Sequence, residues 1–166
     1  MKVKDITRLA VVSALYVALT LLVHPYSYGQ LQFRISEVLV LLCFYRKDYV
    51  YSLILGCFIA NILSPLGILD MVFGTLATAI SVILIANSKR LFLSSLYPVI
   101  FNGILIGGLI YFLGDEPVSL LAVMSYVAIG EFVVVSIIGV IIFKVLEKNK
   151  IFLEVIEANQ NVELEY

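Results

Sequence analysis

The chain has 166 residues, of which 62% are hydrophobic and 14% charged, with a formal net charge of −1. A soluble domain carries about 25% charged residues, and a chain of ~150 residues hides only about 70% of its surface on folding. With a mean hydropathy of +1.08, most of this chain needs lipid as its solvent, its charge balance excludes a nucleic-acid binder with a basic patch, and its length accommodates one domain.

Taken in order, six apolar runs are predicted as helices, each bounded by polar or Pro/Gly-rich turns. The first covers about Val3 to Val23. It is longer than a signal-peptide core and lacks a small-residue cleavage site, so it is expected to be retained. His24-Pro25-Tyr26-Ser27-Tyr28-Gly29 breaks it, and the paired tyrosines suit a membrane interface. The stretch Gln30 to Glu37 then carries two amides, a guanidinium, a hydroxyl and a carboxylate into an apolar context. It is expected to enter the membrane from outside and to help hold a small polar ligand.

The second run is about Ile35 to Tyr45, the third about Tyr49 to Leu63 and the fourth about Leu69 to Ala86. The fifth is about Leu91 to Leu113 and the sixth about Val118 to Leu146. The fold class expected is therefore an all-α membrane protein, a compact bundle of six transmembrane helices over residues 1–150. Residues 151–166 contain no Lys or Arg and are expected as an acidic tail, forming a short surface helix or fraying.

Six crossings put both termini on one side. Lys2, Lys4, Arg8, Arg46, Lys47, Lys89, Arg90, Lys144, Lys148 and Lys150 all fall on that side, which the positive-inside rule makes cytoplasmic. Arg34 is the exception.

Polar side chains in lipid are costly and usually face a cavity or a partner. The candidates are Glu37, Asn61, Asp70, Asn102 and Glu131, with Gln32, Phe33 and Arg34 beside them. Most sit toward the outer ends of their helices, and together they are expected to line a pocket open to the outside. Plainer roles compete. Asn61 and Asp70 suit helix caps, Arg34 and Glu37 suit an i,i+3 pair, and Glu131 suits a carboxyl bonded to a neighbouring helix. His24 and the ten tyrosines suit interface and packing positions. Cys43 and Cys57 are read as small buried hydrophobes, a redox pair being the alternative. No CxxC or Cys/His metal spacing occurs, and no metal, cofactor or catalytic residue is expected. Ala10, Ala14 and Ala18 form a small-residue stripe that lets another helix approach. Gly103 and Gly107 form a GxxxG that either packs internally or is fortuitous.

Several of these segments resemble the QueT family, substrate-binding (S) subunits of energy-coupling factor (ECF) transporters for queuosine precursors. The resemblance covers about residues 5 to 145. It rests on Gln32-Phe33-Arg34-Ile35-Ser36-Glu37, Ile59-Ala60-Asn61, Leu69 to Thr78, Pro98 to Asn102, and Gly130-Glu131. One departure is Cys43, where the family pattern places proline, which leaves the local bend of the second helix open.

The resemblance implies a six-helix bundle with an outward-facing pocket for a 7-deazaguanine, such as 7-aminomethyl-7-deazaguanine or queuine. It implies a transmembrane T component docking on the alanine stripe, with two cytoplasmic ATPase subunits. The chain lacks a GxxxxGK[ST] motif, in keeping with that division of labour. Glu37 and Glu131 suit the donor edge of a guanine-like ring, Asn61 and Asn102 its carbonyl and ring nitrogens, and Asp70 an aminomethyl cation. Arg34 would orient Glu37 or close the outer loop, and Phe33, Tyr26 and Tyr28 would stack on the ring. The competing functions are an S component for biotin, thiamine or riboflavin, a small intramembrane enzyme, and a purely structural membrane subunit. Acids outnumber the base, which disfavours an anionic ligand, and no Ser/His or HExxH constellation supports an enzyme.

Overall fold

The computed structural model describes residues 3–27, 33–114 and 118–161. Among them every regular element is helical. They are α1 (Val3–Leu22), α2 (Ile35–Tyr45), α3 (Tyr49–Asn61), α4 (Gly67–Ala86), α5 (Leu91–Leu113), α6 (Leu120–Leu146) and α7 (Lys150–Val155), with one extra helical turn at His24–Ser27. The segmentation expected from hydropathy is reproduced within a few residues. Four helices, α1, α4, α5 and α6, are long and apolar enough to cross a membrane.

The shorter α2 and α3 are apolar as well. Seven residues of α2, Ile35–Leu41, are wound as a 3₁₀ helix before Leu42–Tyr45 become α-helical. The 3₁₀ rise of ≈2.0 Å per residue stretches α2 to about 20 Å, longer than an α-helix of its length. In α6 the eight residues Phe132–Gly139 are a π-helix. Helix α5 is interrupted at Ser95, three residues before Pro98, which has no N–H to return to the Ser94 carbonyl.

Long apolar side chains such as Val11, Leu22, Ile68, Phe112 and Ile141 face outward, as a lipid-facing surface requires. Inside, Tyr16, Leu41, Leu53, Cys57, Ile85 and Val135 are fully buried. Glycines set the closest approaches. A Cβ on Gly107 would sit 2.6 Å from Met124 Cα, and one on Gly103 3.1 Å from Ala128 Cβ. The GxxxG of α5 is thus an internal seam against α6. A Cβ on Gly56 would lie 3.0 Å from Tyr16 Cβ, so α1 presses directly on α3, and Ser13 Oγ donates to Ser52 O at 2.5 Å.

Both ends of the described chain meet at one end of the bundle. After α7, whose Leu153 is buried beside Ile156, the chain turns at Glu157, a non-glycine residue with φ 49°. The Glu157 carboxylate pairs with Lys4 at 3.0 Å, with Arg46 at 3.1 Å and with Arg8. Asn159 N bonds Tyr45 O at 3.0 Å, Gln160 Nε2 bonds Cys43 O at 2.9 Å, and Asn161 Nδ2 bonds Phe44 O at 2.8 Å and Ser88 O at 3.0 Å. These donors cap carbonyls left open at the end of α2 and in the turn after α4. Part of the segment expected as a tail is therefore built into the bundle.

Candidate functional site

In extended backbone, Arg34 precedes α2 with φ −91° and ψ 97°. Its guanidinium is buried and spans three elements. Nε donates to Ser27 O at 3.1 Å, Nη1 to Asn61 Oδ1 at 3.1 Å and Nη2 to Asp70 Oδ2 at 3.0 Å. Asp70 Oδ2 also accepts from Ser64 Oγ at 2.5 Å. Asp70 lies in the first turn of α4, not at its N-cap, which is Leu66. Asn61 Nδ2 donates to Cys57 Sγ at 3.3 Å and to Asp70 O at 3.4 Å. Gly74 makes this possible, because a Cβ there would stand 2.6 Å from Asn61 Nδ2. Arg34, Asn61 and Asp70 form one strut tying the α1–α2 connection to the facing ends of α3 and α4.

Glu37 and Glu131 are arranged differently. Glu37, on the 3₁₀ part of α2, is 1% exposed and takes the Tyr16 hydroxyl on Oε1. Glu131, at the start of the π segment, is 2% exposed and takes Asn102 Nδ2 on Oε1 at 3.1 Å. In each, Oε2 is buried with no hydrogen-bond partner among the described residues, and so is Oδ1 of Asp70. The segments carrying the two glutamates pack together, since a Cβ on Gly139 would lie 3.1 Å from Leu41 Cδ1 and 3.7 Å from Val38 Cγ1. Long 3₁₀ stretches and π turns are uncommon and concentrate at functional places. Here each accompanies one of the two glutamates.

Asp70 pairs with the Arg34 guanidinium, and Asp70, Glu37 and Glu131 each have one oxygen bonded and the other without a hydrogen-bond partner among the described residues. An unmet buried acceptor costs about 1–3 kcal/mol, and a buried unpaired charge costs more. A guest that supplies hydrogen-bond donors or positive charge relieves that cost. No group of three or more His, Cys, Asp or Glu among the described residues is placed to hold a metal ion.

Of the residues expected to line a pocket, Arg34, Asn61 and Asp70 come together, as do Asn102 and Glu131, while Glu37 is bonded by Tyr16. Phe33 is half-buried and packs on the apolar core. Gln32 and Tyr28, and the side chain of Tyr26, lie outside the described residues. Ala10, Ala14 and Ala18 all lie on the exposed face of α1, opposite the buried Leu9, Ser13, Tyr16 and Thr20. Cys43 and Cys57 are free thiols, both buried. Cys57 is more than a hydrophobe, since its Sγ lies 3.2 Å from Thr78 Oγ1.

Sequence reasoning missed Tyr16, Ser27, Ser64 and Thr78. Tyr16 carried a usable signal: it shares the i, i+3/i+4 face of Leu9, Ser13 and Thr20, away from the alanine stripe. Two apolar grooves lie elsewhere, one of about 280 Å³ on the α5–α6 seam at Gly103 and Met124, and one of about 180 Å³ between α1 and α3 beside Ala10 and Tyr51.

The profile of the QueT transporter family matches residues 6–148. A relative from Lactococcus lactis subsp. cremoris, named queuosine precursor transporter QueT, is 41% identical over 81 residues, which cover 48% of this chain and 47% of the relative. The matched stretch thus spans about half the length of that relative. No solved structure gives a significant match. A family match over most of an all-helical, lipid-facing chain with four helices of membrane-crossing length establishes that it is a multi-pass membrane protein belonging to the QueT transporter family.

Proposed function

We propose that the chain is the substrate-binding component of an ECF-type importer and that its ligand is a 7-deazaguanine precursor of queuosine. The observation that carries this is the pair of buried glutamates on α2 and α6, each bonded through one oxygen and open at the other, inside a member of a transporter family. Each open oxygen can accept one donor of a guanine-like ligand, whether a ring N–H, an exocyclic amine or a ligand ammonium. The relative's name supports the ligand class. Gln32 and Phe33 are further proposed ligand contacts, and Asn61, Asp70 and Arg34 brace the site.

In this proposal all six apolar segments cross the membrane, α2 and α3 as short crossings, and both termini are cytoplasmic. The meeting of Lys4 and Arg8 with Arg46 and Glu157 at one end supports it, because the basic residues then share a side. Residues 1–150 are the membrane domain and 151–161 clasp its cytoplasmic end. The exposed Ala10, Ala14 and Ala18 face receives the T component, and ATP is hydrolysed by two partner subunits in the cell membrane.

The test is a binding titration of purified protein with 7-aminomethyl-7-deazaguanine. Glu131→Gln and Glu37→Gln each remove a charged acceptor, and a hydrogen bond to a charged group is worth about 1.5–3 kcal/mol, so each is expected to weaken binding about tenfold or more. Wild-type affinity in both variants refutes the proposal, as does preferential stabilisation by biotin, thiamine or riboflavin in a thermal-shift series.

A further inference from the structure

The Tyr16 hydroxyl and the Asn102 amide do the same thing for two different glutamates. Tyr16, fully buried on α1, donates to Glu37 Oε1, and Asn102, 4% exposed on α5, donates to Glu131 Oε1. Each glutamate is thereby fixed by one oxygen and left with the other as an unpartnered buried acceptor. Both clamps are delivered by a close helix contact. Gly56 lets α1 bring Tyr16 against α3, and Gly103, next to Asn102, lets α5 close on Ala128 of α6.

The charge around them decides what is accepted. Arg34 is tied to Asp70, Asn61 and Ser27, so its positive charge is already matched by one carboxylate. Glu37 is bonded by Tyr16 from α1, and the Arg34 guanidinium, three residues before it, is turned to Asp70. Among the described residues, Glu37 and Glu131 are in no ion pair. A neutral ligand with a single donor edge serves only one of them. A ligand with a donor edge on one side and an ammonium on the other serves both, and an ammonium offers up to three donors and a charge.

We propose that Tyr16 is a specificity-determining positioning residue: by occupying one oxygen of Glu37 it makes the Glu37/Glu131 pair an acceptor-only clamp that selects cationic, amine-bearing heterocycles over neutral ones of the same shape. This rests on the ligand class assigned above.

The experiment compares 7-aminomethyl-7-deazaguanine with its neutral 7-cyano counterpart by calorimetry on the full chain in detergent, for wild type, Tyr16→Phe, Glu37→Gln and the double variant. Wild type is expected to favour the amine at least tenfold. Tyr16→Phe is expected to lower affinity for the amine about tenfold, to leave the nitrile within threefold, and so to erase most of the preference. Because Tyr16 acts through Glu37, the double variant is expected to bind no worse than Glu37→Gln alone.

Additive losses, or an unchanged amine-to-nitrile ratio in Tyr16→Phe, overturn the inference while leaving the ligand assignment standing. If Tyr16→Phe does not fold, Asn102→Ala probes the matching clamp on Glu131, and an unchanged ratio there overturns it equally. A wild-type protein that binds neither deazaguanine overturns the ligand assignment and this inference with it.

Discussion

Arg34→Gln is the perturbation that separates bracing from binding. Arg34 and Asp70 are 4% and 0% exposed and pair at 3.0 Å. Removing the guanidinium leaves Asp70 with Ser64 as its remaining bonded partner at Oδ2 and frees Asn61 Oδ1 and Ser27 O. Breaking a buried pair by deleting one partner costs about 3–5 kcal/mol, because the other charge stays behind. For a chain of this size each 1 kcal/mol moves the melting midpoint by roughly 2–4 °C, so Arg34→Gln should lower it by at least about 6 °C. The assay is thermal unfolding in detergent without ligand. Replacing both charges, Arg34→Leu with Asp70→Leu, removes the stranded carboxylate and should recover at least half of the loss, as apolar replacements of buried pairs often do. Glu37→Gln, which removes a charge with an unmet oxygen, should leave the midpoint unchanged or raise it. An Arg34→Gln midpoint within about 2 °C of wild type, or a double variant worse than the single one, refutes the strut.

The α5–α6 seam predicts opposite outcomes for adjacent glycines. Gly107→Ala forces a Cβ to 2.6 Å from Met124 Cα, whereas Gly108→Ala meets nothing within 4 Å. The first should cost about 1–3 kcal/mol through overpacking and the second should be neutral or slightly stabilising, both read as melting midpoints. At the other end of the bundle, hydrogen bonding from Lys4 and then Arg8 holds the Glu157 carboxyl below its usual range. Its stabilising contribution is therefore present above the ordinary glutamate value of about 4.3 and is lost as pH falls through the lower folded value. Hydrogen exchange at residues 150–161 should accelerate over that fall in wild type, and Glu157→Gln should show the fast exchange already at neutral pH; identical pH profiles in the two proteins would remove the clasp.

The order and rough limits of the helices were legible because lipid imposes a length and an apolar composition on each segment. The GxxxG was visible as a motif, but only the Met124 and Ala128 contacts show that it packs internally. The candidate polar residues were legible for the same reason as the helices: each stands out against an apolar background. Their division of labour was not. Arg34 three residues before Glu37 suggested a local pair, yet its guanidinium reaches Asp70, thirty-six positions away. Tyr16 was lost among ten tyrosines, because nothing local distinguishes a hydroxyl at the interface from one facing a carboxylate across the bundle. The docked segment after α7 was hidden too, since the acceptors for Asn159, Gln160 and Asn161 are backbone carbonyls, which leave no mark in the sequence.

The two irregular helices and the two open carboxylates belong to one physical problem. In lipid every backbone group must be satisfied within the protein, so an irregular helix is tolerated only where it is buried or lines a cavity. The 3₁₀ stretch Ile35–Leu41 and the π stretch Phe132–Gly139 meet at Gly139, against Val38 and Leu41, and each begins next to or contains a glutamate with an unmet oxygen. Departing from the α-helix changes the angle between successive side chains. It lets Glu37 and Glu131 occupy the interior while Val38, Leu41, Val134 and Val135 keep the apolar contacts of the same helices. A bundle under selection for stability alone would gain by straightening both segments and replacing both acids. Buried acceptors without a hydrogen-bond partner among the described residues are what the proposed site requires, since a guest would then bring the donors.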